Sequence, residues 1–326
     1  MRAVVITKHG DPSVLNVVEV DKPKPSSTEI LVKVKATSLN RADLMQRMGF
    51  YPDPFPGAYE IPGLEFSGTV EACGADVKTW QPDDEVMGIV SGGAYAEYLV
   101  VPEMQAMSVP KNVALENAAA IPEVFITAWD ALVCQANLQP GGWALVHAGA
   151  SGVGTAAIQI CKAIGAKIIV TCSAKKRDAC LALGADLAID YKTDDFVALC
   201  MRATNNAGVN AVLDVIGGEY LNRNVAALAL KGTIVQVGLM GGGSTSFNLG
   251  AMMPKRARLI TTVLRPRPLE EKVAVTQRFI SEMLPFFEIG KMRPVIDCRY
   301  DLAQIAEAHL YMESNANTGK IVIDVC

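Results

Sequence analysis

The chain has 326 residues, enough for two domains, and its composition, half hydrophobic and a fifth charged, is typical of globular proteins. A net charge of −4 gives no overall basic surface, which argues against nucleic acid as a partner. Eight dispersed cysteines without a Cys-x-x-Cys pair indicate core residues in a reducing compartment, so we expect a cytoplasmic protein. The uncharged run 131–161 is broken by Pro140 and several glycines, and the chain starts with a strand pattern. We therefore expect neither a membrane span nor a signal peptide.

The first third of the sequence consists of short β-type runs separated by Pro, Gly, Asp and Ser, which predicts a compact, barrel-like β domain. One helical stretch, Asn40 to Met48, interrupts the strands and leads into a proline-rich loop, residues 50–59. Prolines stiffen this loop, which could hold aromatic rings over a pocket or be an ordinary surface loop. The predicted strands are Ala3–Ile6, Leu15–Val20, Glu29–Ala36, Phe66–Cys73, Asp84–Ile89 and Ala94–Val101.

From about Ala118 strands and helices alternate, which predicts a doubly wound parallel sheet with its ligand at the carboxyl ends of the strands. We expect the loops at Gly217, Gly238 and 264–265 to border that ligand. The final strand, Lys320–Val325, is expected to return to the first domain, so the predicted domains are 1–123 with 291–326, and 124–290. The other predicted strands are Lys167–Cys172, Leu187–Asp190, Val209–Val215, Gly232–Gly238, Arg258–Leu264 and Val295–Tyr300. The predicted helices are Phe125–Cys134, Thr155–Ile164, Asp194–Ala203, Tyr220–Leu230, Leu269–Gly290 and Leu302–Ser314.

The most informative motif runs from Trp143 to Cys172, passing from an apolar strand through a small-residue turn into a helix and a second strand. This order of elements is the βαβ unit of a dinucleotide-binding fold. The glycines of the turn let backbone N–H groups approach a pyrophosphate at the positive end of the helix dipole. A glycine-rich turn alone can be a structural coincidence, but the flanking strand and helix favour a nucleotide site.

The residues after the second strand of this unit indicate which nucleotide is bound. An NAD site has Asp or Glu here, which accepts hydrogen bonds from the adenosine ribose. This chain has Ser173 followed by Lys175, Lys176 and Arg177, with no acid before Asp178. A hydroxyl and three cations would bind a 2′-phosphate through charge-assisted hydrogen bonds. The sequence therefore predicts NADPH, with an ordinary solvated helix start as the alternative.

No metal site is predicted, because the three histidines lie far apart and no Cys/His spacing resembles a zinc site. We interpret His147, in the apolar strand before the turn, as a core histidine with satisfied hydrogen bonds. A nicotinamide without a metal suits hydride transfer to an acceptor such as a quinone, whose ring becomes aromatic on reduction. Asn40 and Tyr51 could hydrogen-bond the acceptor or the ribose, and Tyr51 could donate a proton. Purely structural roles are the alternatives for both.

Six stretches of the sequence resemble motifs of one known family, and they are spread over nearly the whole chain. They are Ser38–Arg47, Ile61–Glu65, His147–Gly149, Ser151–Gln159, Gly238–Gly243 and Gly319–Val322. Together they resemble the zinc-free quinone oxidoreductase branch of the medium-chain dehydrogenase/reductase superfamily. Zinc alcohol dehydrogenases carry Cys at the position of Asn40 and His at that of Leu64, and this chain also lacks their four-cysteine lobe. The resemblance therefore implies catalysis without zinc.

The resemblance also implies an α/β fold, in which a GroES-like β-rich catalytic domain accompanies a Rossmann domain with a doubly wound parallel sheet. NADPH would bind between the two domains. Members are usually homodimers, and the candidate edge here is Arg258–Leu264. By position, the pyrophosphate falls to Ser151, Gly152 and Val153, beside Gly149 and Ala150 of the turn, and the 2′-phosphate to Ser173, Lys176 and Tyr191. The nicotinamide side falls to Gly238, Leu239, Met240, Leu264 and Arg265, with Thr127 near it and Asn40 contacting ribose or acceptor.

These observations predict NADPH-dependent reduction of ortho- or para-quinones, small molecules that need no membrane or nucleic-acid partner. Reduction of α,β-unsaturated carbonyls is a second possibility, since the same site can serve both reactions. A third is a protein that binds NADPH with little turnover, because fold does not fix function. The sequence leaves the physiological acceptor open, together with the choice between one- and two-electron reduction.

Overall fold

The computed structural model describes residues 1–325. Among these residues no helix has the length and apolar character needed to cross a membrane. The strands are β1 Arg2–Ile6, β2 Leu15–Glu19, β3 Glu29–Ser38, β4 Glu65–Cys73, β5 Glu85–Ile89, β6 Tyr98–Pro102, β7 Ala106–Ser108, β8 Trp143–Val146, β9 Lys167–Cys172, β10 Leu187–Asp190, β11 Val209–Asp214, β12 Leu228–Gln236, β13 Arg258–Thr261, β14 Ile296–Asp301 and β15 Lys320–Asp324. The α-helices are α1 Arg41–Arg47, α2 Leu115–Ala118, α3 Pro122–Trp129, α4 Gly152–Ala163, α5 Arg177–Ala182, α6 Phe196–Ala203, α7 Tyr220–Ala227, α8 Leu269–Glu282, α9 Leu284–Glu288 and α10 Ile305–Glu313.

The chain divides into two compact units, one made of residues 1–126 and those from Leu264 onward, the other of Thr127–Val263. The predicted division placed the second domain boundary at residue 291, whereas in the structure this boundary lies at Leu264. The helix α8 belongs to the first unit, because Gln277 donates a hydrogen bond to the carbonyl of Met104 and the Lys272 ammonium binds the Ser91 hydroxyl.

The first unit is organised around β3, whose ten residues pair with three other strands. β4 lies antiparallel along one edge, while β6 and β15 share the other edge, β6 beside residues 29–33 and β15 beside 36–38. Ile30, Val32 and Val34 are fully buried, whereas Lys33 and Lys35 are exposed, as the two-residue period of a strand requires. The predicted β-rich domain and the return of the final strand to it are thus confirmed. This pairing brings the end of β3, the start of β4 and the start of β15 together.

The second unit is a six-stranded parallel sheet in the order β10-β9-β8-β11-β12-β13. Counted from β8, this is the strand order 3-2-1-4-5-6 of dinucleotide-binding folds. The central strands are nearly continuous runs of buried residues such as Ile169 and Val212, the pattern of a parallel sheet covered on both faces. The predicted doubly wound sheet is confirmed, and β13 forms one edge of it.

Among the predicted elements, one helix and one strand differ most in extent from the structure. The predicted helix Leu269–Gly290 is broken at Met283 into α8 and α9, because Pro285 has no N–H group to continue the first helix. The predicted strand Ala94–Val101 is reduced to β6, because residues 94–97 instead form a loop that bonds to the first strand. In that loop Val4 N–H donates to the Tyr95 carbonyl at 2.8 Å.

Candidate functional site

The turn between β8 and α4 can be formed only with glycine at two positions. A Cβ atom on Gly149 would lie 2.4 Å from Cβ of Val170, so the absence of a side chain lets the turn pack directly on β9. A Cβ atom on Gly154 would lie 2.4 Å from the carbonyl oxygen of Ala148. The small residues of the motif therefore bring strand, turn and helix into close contact, and the predicted order of strand, turn, helix and strand is confirmed.

The start of α4 offers a place for an anion. Ser151 caps the helix, and its Oγ accepts a hydrogen bond from the Gly154 N–H at 3.1 Å. Gly152 and Val153 follow as the first helical residues and are partly exposed, whereas Ala150 is buried. α4 has twelve residues and no acid in its first turn, so its free N–H groups and its dipole favour a phosphate. These residues fit the pyrophosphate of a dinucleotide.

His147 is a buried structural residue, as the sequence predicted. Its Nε2 lies 2.7 Å from Oδ1 of Asn224, which can only accept, so Nε2 carries the proton and Nδ1 accepts from the Thr171 hydroxyl at 2.9 Å. The Asn224 amide also donates to Asp214, whose other oxygen accepts from the Gly217 N–H at 3.0 Å. Burial lowers the pKa of His147 and keeps it neutral. The network ties the turn after β8 to the turn after β11.

Three predicted 2′-phosphate residues lie together at the carboxyl ends of β9 and β10. Cys172 and Asp190 pair at the ends of these strands, and the Tyr191 N–H donates to the Cys172 carbonyl at 3.2 Å. Ser173 and Tyr191, the next residue of each strand, therefore flank one another. The Lys176 N–H donates to the Ser173 carbonyl at 2.9 Å, which places the lysine one turn further on. Ser173 and Lys176 are partly exposed and Tyr191 is 46 % exposed, so all three can reach a ligand.

The loop after β12 lies against the end of β11. The Met240 N–H donates to the Val215 carbonyl at 3.1 Å, and a Cβ atom on Gly238 would lie 3.1 Å from the same oxygen. Leu239 and Met240 remain 58 % and 52 % exposed, so two large apolar side chains stand at the carboxyl edge of the sheet. Thr127, in α3, is partly buried and is the first residue of this unit.

In the first unit, Asn40 belongs to a buried polar cluster. Its amide Nδ2 donates to Glu65 Oε1 at 2.9 Å, and its Oδ1 accepts from the Lys320 ammonium at 2.7 Å. The ammonium also donates to the Leu39 carbonyl at 2.6 Å and pairs with Glu65 Oε1 at 2.8 Å. Glu65 accepts further hydrogen bonds from the Ser38 hydroxyl and from a backbone N–H of α3. We call Asn40, Glu65 and Lys320 the ammonium cluster.

The ammonium cluster does not fit a zinc ion. At the two positions that hold ligands in zinc alcohol dehydrogenases, this chain has an amide engaged at both ends, Asn40, and a buried leucine, Leu64. The ammonium of Lys320, with 4 % of its side chain exposed, already neutralises the Glu65 carboxylate. Zinc sites in proteins are built from thiolates, imidazoles and carboxylates. The donors present here therefore favour an ammonium group over a metal.

Arg265 binds the proline-rich loop. Its guanidinium donates to the carbonyls of Ser91 at 2.5 Å and Tyr51 at 3.0 Å and to Oε1 of Gln46 at 2.9 Å. The same group lies 5.1 Å from the centre of the Tyr51 ring, a cation–π contact. Arg265 is 5 % exposed, and Leu264 before it is buried. The expectation that Arg265 contacts nicotinamide stays a prediction, but its donors are already engaged in positioning Tyr51.

Sequence reasoning missed two charged residues of the first unit. Lys320 lies in the motif Gly319–Val322 and Glu123 is the last residue of the predicted domain segment 1–123, yet no local pattern assigns either a role. Glu123 is the second residue of α3, and its backbone N–H donates to Glu65 Oε2 at 2.8 Å. The usable signal is that Glu65 immediately precedes the predicted strand Phe66–Cys73 and that Lys320 begins the predicted strand Lys320–Val325, which does not reveal that the two strand ends meet.

Two family models match the chain. The alcohol dehydrogenase GroES-like domain matches residues 26–111, and the family described as zinc-binding dehydrogenase matches residues 183–323. Among relatives, the zebrafish (Danio rerio) synaptic vesicle membrane protein VAT-1 homolog is 31 % identical over 99 % of this chain and 69 % of its own length. Human quinone oxidoreductase is 28 % identical over 99 % of this chain and 97 % of its own.

Solved structures resemble the whole chain. Escherichia coli quinone oxidoreductase complexed with NADPH superposes with a TM-score of 0.89 at 29 % identity and covers all of both chains. An NAD-dependent alcohol dehydrogenase gives 0.88 at 31 % identity, also over both full chains. The CurK enoyl reductase gives 0.87 at 27 % identity, over 99 % of this chain and 98 % of its own. These proteins share the two-part architecture and differ in the cofactors and reactions that their names state.

Proposed function

Because the chain belongs to the medium-chain dehydrogenase/reductase superfamily, we propose that it reduces quinones with NADPH, by hydride transfer and without a metal. The observation that carries the acceptor class is the ammonium cluster, whose donors suit Lys320 rather than zinc. An unactivated ketone requires a strong Lewis acid or a dedicated proton donor, whereas a quinone gains aromaticity on reduction and needs little activation. The likeness to human and bacterial quinone oxidoreductases supports this acceptor.

The proposed cofactor rests on the residues at the ends of β9 and β10. NADPH, when bound, supplies the hydride, and the chain supplies position and charge. Ser173, Lys176 and Tyr191 would hold the 2′-phosphate, and the start of α4 would hold the pyrophosphate. The quinone oxidoreductase solved with NADPH supports this assignment, and the NAD-dependent neighbour makes it worth a direct test.

Lys176→Ala tests the cofactor. Loss of one charge-assisted contact is expected to cost about 1.5–3 kcal/mol, which raises the KM for NADPH about 10- to 150-fold while the KM for NADH barely changes. Lys24→Ala is the control, because Lys24 is an exposed lysine of the first unit, outside the predicted phosphate site, and its replacement removes the same charge. Equal effects of Lys176→Ala on both cofactors, or equal effects of the two substitutions, would remove Lys176 from the phosphate site.

The acceptor is tested by parallel steady-state assays with 1,2-naphthoquinone and an α,β-unsaturated aldehyde at equal NADPH. We expect kcat/KM to favour the quinone. The likeness to the CurK enoyl reductase makes double-bond reduction the second candidate, in which the hydride goes to a β-carbon. Alkenal turnover far above quinone turnover would establish that candidate and overturn the first.

A protein that binds NADPH without turnover is the remaining candidate, and the name of the zebrafish relative states no reaction. NADPH fluorescence distinguishes it from an enzyme. An enzyme should oxidise bound NADPH when an acceptor is added, so the fluorescence decays. A bound, shifted fluorescence that stays constant with quinones and alkenals would favour the non-catalytic protein.

We further propose a homodimer joined through β13. This strand forms an edge of the parallel sheet, and Leu259 on it is 40 % exposed. An unprotected edge strand is a template for pairing with a second copy. Light scattering should give twice the mass of the chain, and Leu259→Lys should shift the protein towards the monomer. A monomeric wild type would refute this assembly.

A further inference from the structure

The proline-rich loop, residues 50–59, is held by few backbone contacts. Its prolines have no N–H group to donate. Where the loop begins, the Phe50 N–H donates to the Met45 carbonyl at 2.8 Å. Within residues 1–325, no backbone–backbone hydrogen bond involves residues 51–59. The position of Tyr51, the candidate proton donor of this loop, therefore depends on side-chain contacts.

Arg265 holds the first part of the loop. Its guanidinium donates to the carbonyls of Tyr51 at 3.0 Å and Pro52 at 3.4 Å, and it lies 5.1 Å from the centre of the Tyr51 ring. A longer contact, 3.9 Å, joins the guanidinium to the Asp53 carboxylate. Beyond Asp53 the loop reaches a second cation.

That second cation is Lys272, near the start of α8. Its ammonium lies 4.8 Å from the centre of the Phe55 ring, within cation–π distance, and donates to the Ser91 hydroxyl at 2.5 Å. The Ser91 hydroxyl donates in turn to the Arg265 carbonyl at 3.1 Å, and Arg265 Nε donates to the Ser91 carbonyl at 2.5 Å. Ser91 thus links the two cations to each other. We call Ser91, Arg265 and Lys272 the loop clamp.

The loop clamp is not itself suited to binding an acceptor. The cavity beside it has a volume of about 10 Å³, about the space of one water molecule, and its walls also include Ile89, Gln105, Leu264 and Val275. The guanidinium of Arg265 already donates to Ser91, to Gln46 and to the loop, and the ammonium of Lys272 donates to Ser91. The two cations therefore act on the loop rather than on a ligand.

We propose that Lys272 is a positioning residue for quinone reduction, which holds the Phe55 end of the loop while Arg265 holds the Tyr51 end. This inference rests on the proposed function, in which the Tyr51 hydroxyl meets the acceptor. With both ends held, the Tyr51 ring keeps one orientation. Without Lys272, the loop beyond Asp53 loses its cation and the ring samples other orientations.

The competing interpretation is that Phe55, which is 60 % exposed, only rests on the lysine, and that the loop stays in place without this contact. Lys272→Met removes the charge but keeps the length and the apolar stem of the side chain. Lys272→Arg keeps a cation at the ring and a donor for Ser91, so it should restore what methionine loses. Phe55→Leu removes the ring alone. The matched control is Lys291→Met, because Lys291 is an exposed lysine of the same unit.

The first measurement is limited digestion with chymotrypsin, which needs no activity. The protease cleaves after aromatic residues, so its sites in the loop are Phe50 and Tyr59, whereas the other two aromatic residues of the loop precede proline and resist cleavage. We expect Phe55→Leu to raise the initial rate of cleavage in the loop about two- to fivefold, and Lys272→Met at least as much, because it also loses the hydrogen bond of its ammonium. The other two variants should match the wild type. Wild-type rates in both Phe55→Leu and Lys272→Met would overturn the proposal.

The second measurement is steady-state reduction of 1,2-naphthoquinone. We expect Lys272→Met to lower kcat/KM for the quinone about tenfold with an unchanged KM for NADPH, and Lys272→Arg to restore most of it. In a Tyr51→Phe background Lys272→Met should add little, because it acts through Tyr51. Faster cleavage of the loop with an unchanged kcat/KM would mean that the positioning role is wrong while quinone reduction stands. If the wild type reduces no quinone, the proposed function fails and the role of Lys272 with it.

Discussion

Replacing Lys320 by methionine removes the only ammonium group that contacts Glu65 within residues 1–325. Lys320 donates to three oxygens, those of Leu39, Asn40 and Glu65, at 2.6, 2.7 and 2.8 Å. Methionine keeps the length and the apolar stem of the side chain, so the substitution chiefly removes the charge. Glu65, with no exposed surface, is then left as a buried carboxylate without a counter-ion.

The expected cost follows from the burial of both partners. Removal of one member of a buried ion pair costs about 3–5 kcal/mol, because the remaining charge stays desolvated. Ser38, Asn40 and the Glu123 N–H continue to donate to Glu65, which places the expected loss near 3 kcal/mol, the lower end of that range. The same substitution at an exposed pair should cost almost nothing.

Urea unfolding followed by tryptophan fluorescence measures the loss, compared at equal m-value. The control is Lys22→Met, because Lys22 and Glu71 also lie 2.7 Å apart but each has 38 % of its side chain exposed. Its expected cost is about 0–1 kcal/mol. The double variant Glu65→Gln/Lys320→Met should recover at least half of the loss, since no buried charge remains. A Lys320→Met cost no larger than that of Lys22→Met would refute the role assigned to the ammonium.

Three further substitutions test other parts of the chain. Arg265→Leu should release the loop that carries Tyr51 and so lower kcat/KM for quinone about tenfold or more, with little change in the KM for NADPH. A raised KM for NADPH would instead show that Arg265 is a cofactor ligand. Asn224→Leu leaves His147 Nε2 without its acceptor and should cost about 1–3 kcal/mol in urea unfolding. Burial holds the pKa of His309 at about 3, so wild-type thermal stability should fall as the pH drops below 6.5, and His309→Gln should lose less over the same range.

The second unit was largely predictable because its signals are local. Strand, glycine turn, helix and strand follow one another within about thirty residues, and the requirement for Gly149 and Gly154 is a matter of close packing within that unit. Ser173 and Lys176 follow β9 directly, so the general rule for parallel sheets places them at the ligand edge. Element ends were less predictable, since α7 stops at Ala227 where the alanine-rich pattern would have continued.

The first unit was predictable as a β domain but not as a site. Asn40 was predicted to hydrogen-bond the acceptor or the ribose, yet its partners Glu65 and Lys320 come from strands 25 and 280 residues away. Their meeting depends on β15 pairing with the end of β3, a non-local register that no periodicity reveals. Arg265 was expected at the cofactor for a positional reason, and only the fold shows that it holds the loop of Tyr51.

The protonation of this site follows from how its charges are paired. Glu65 and Asp43 are buried acids and Glu123 beside them is partly exposed, and within residues 1–325 the ammonium that contacts Glu65 is that of Lys320. Asp43 also has its pKa raised by burial, to about 6, but it accepts hydrogen bonds from the Asn40 N–H and the Tyr95 hydroxyl. Burial and the charge of Glu65 raise the pKa of Glu123 to about 8. The lysine that makes the site unsuitable for zinc thus also determines which carboxylate has a counter-ion.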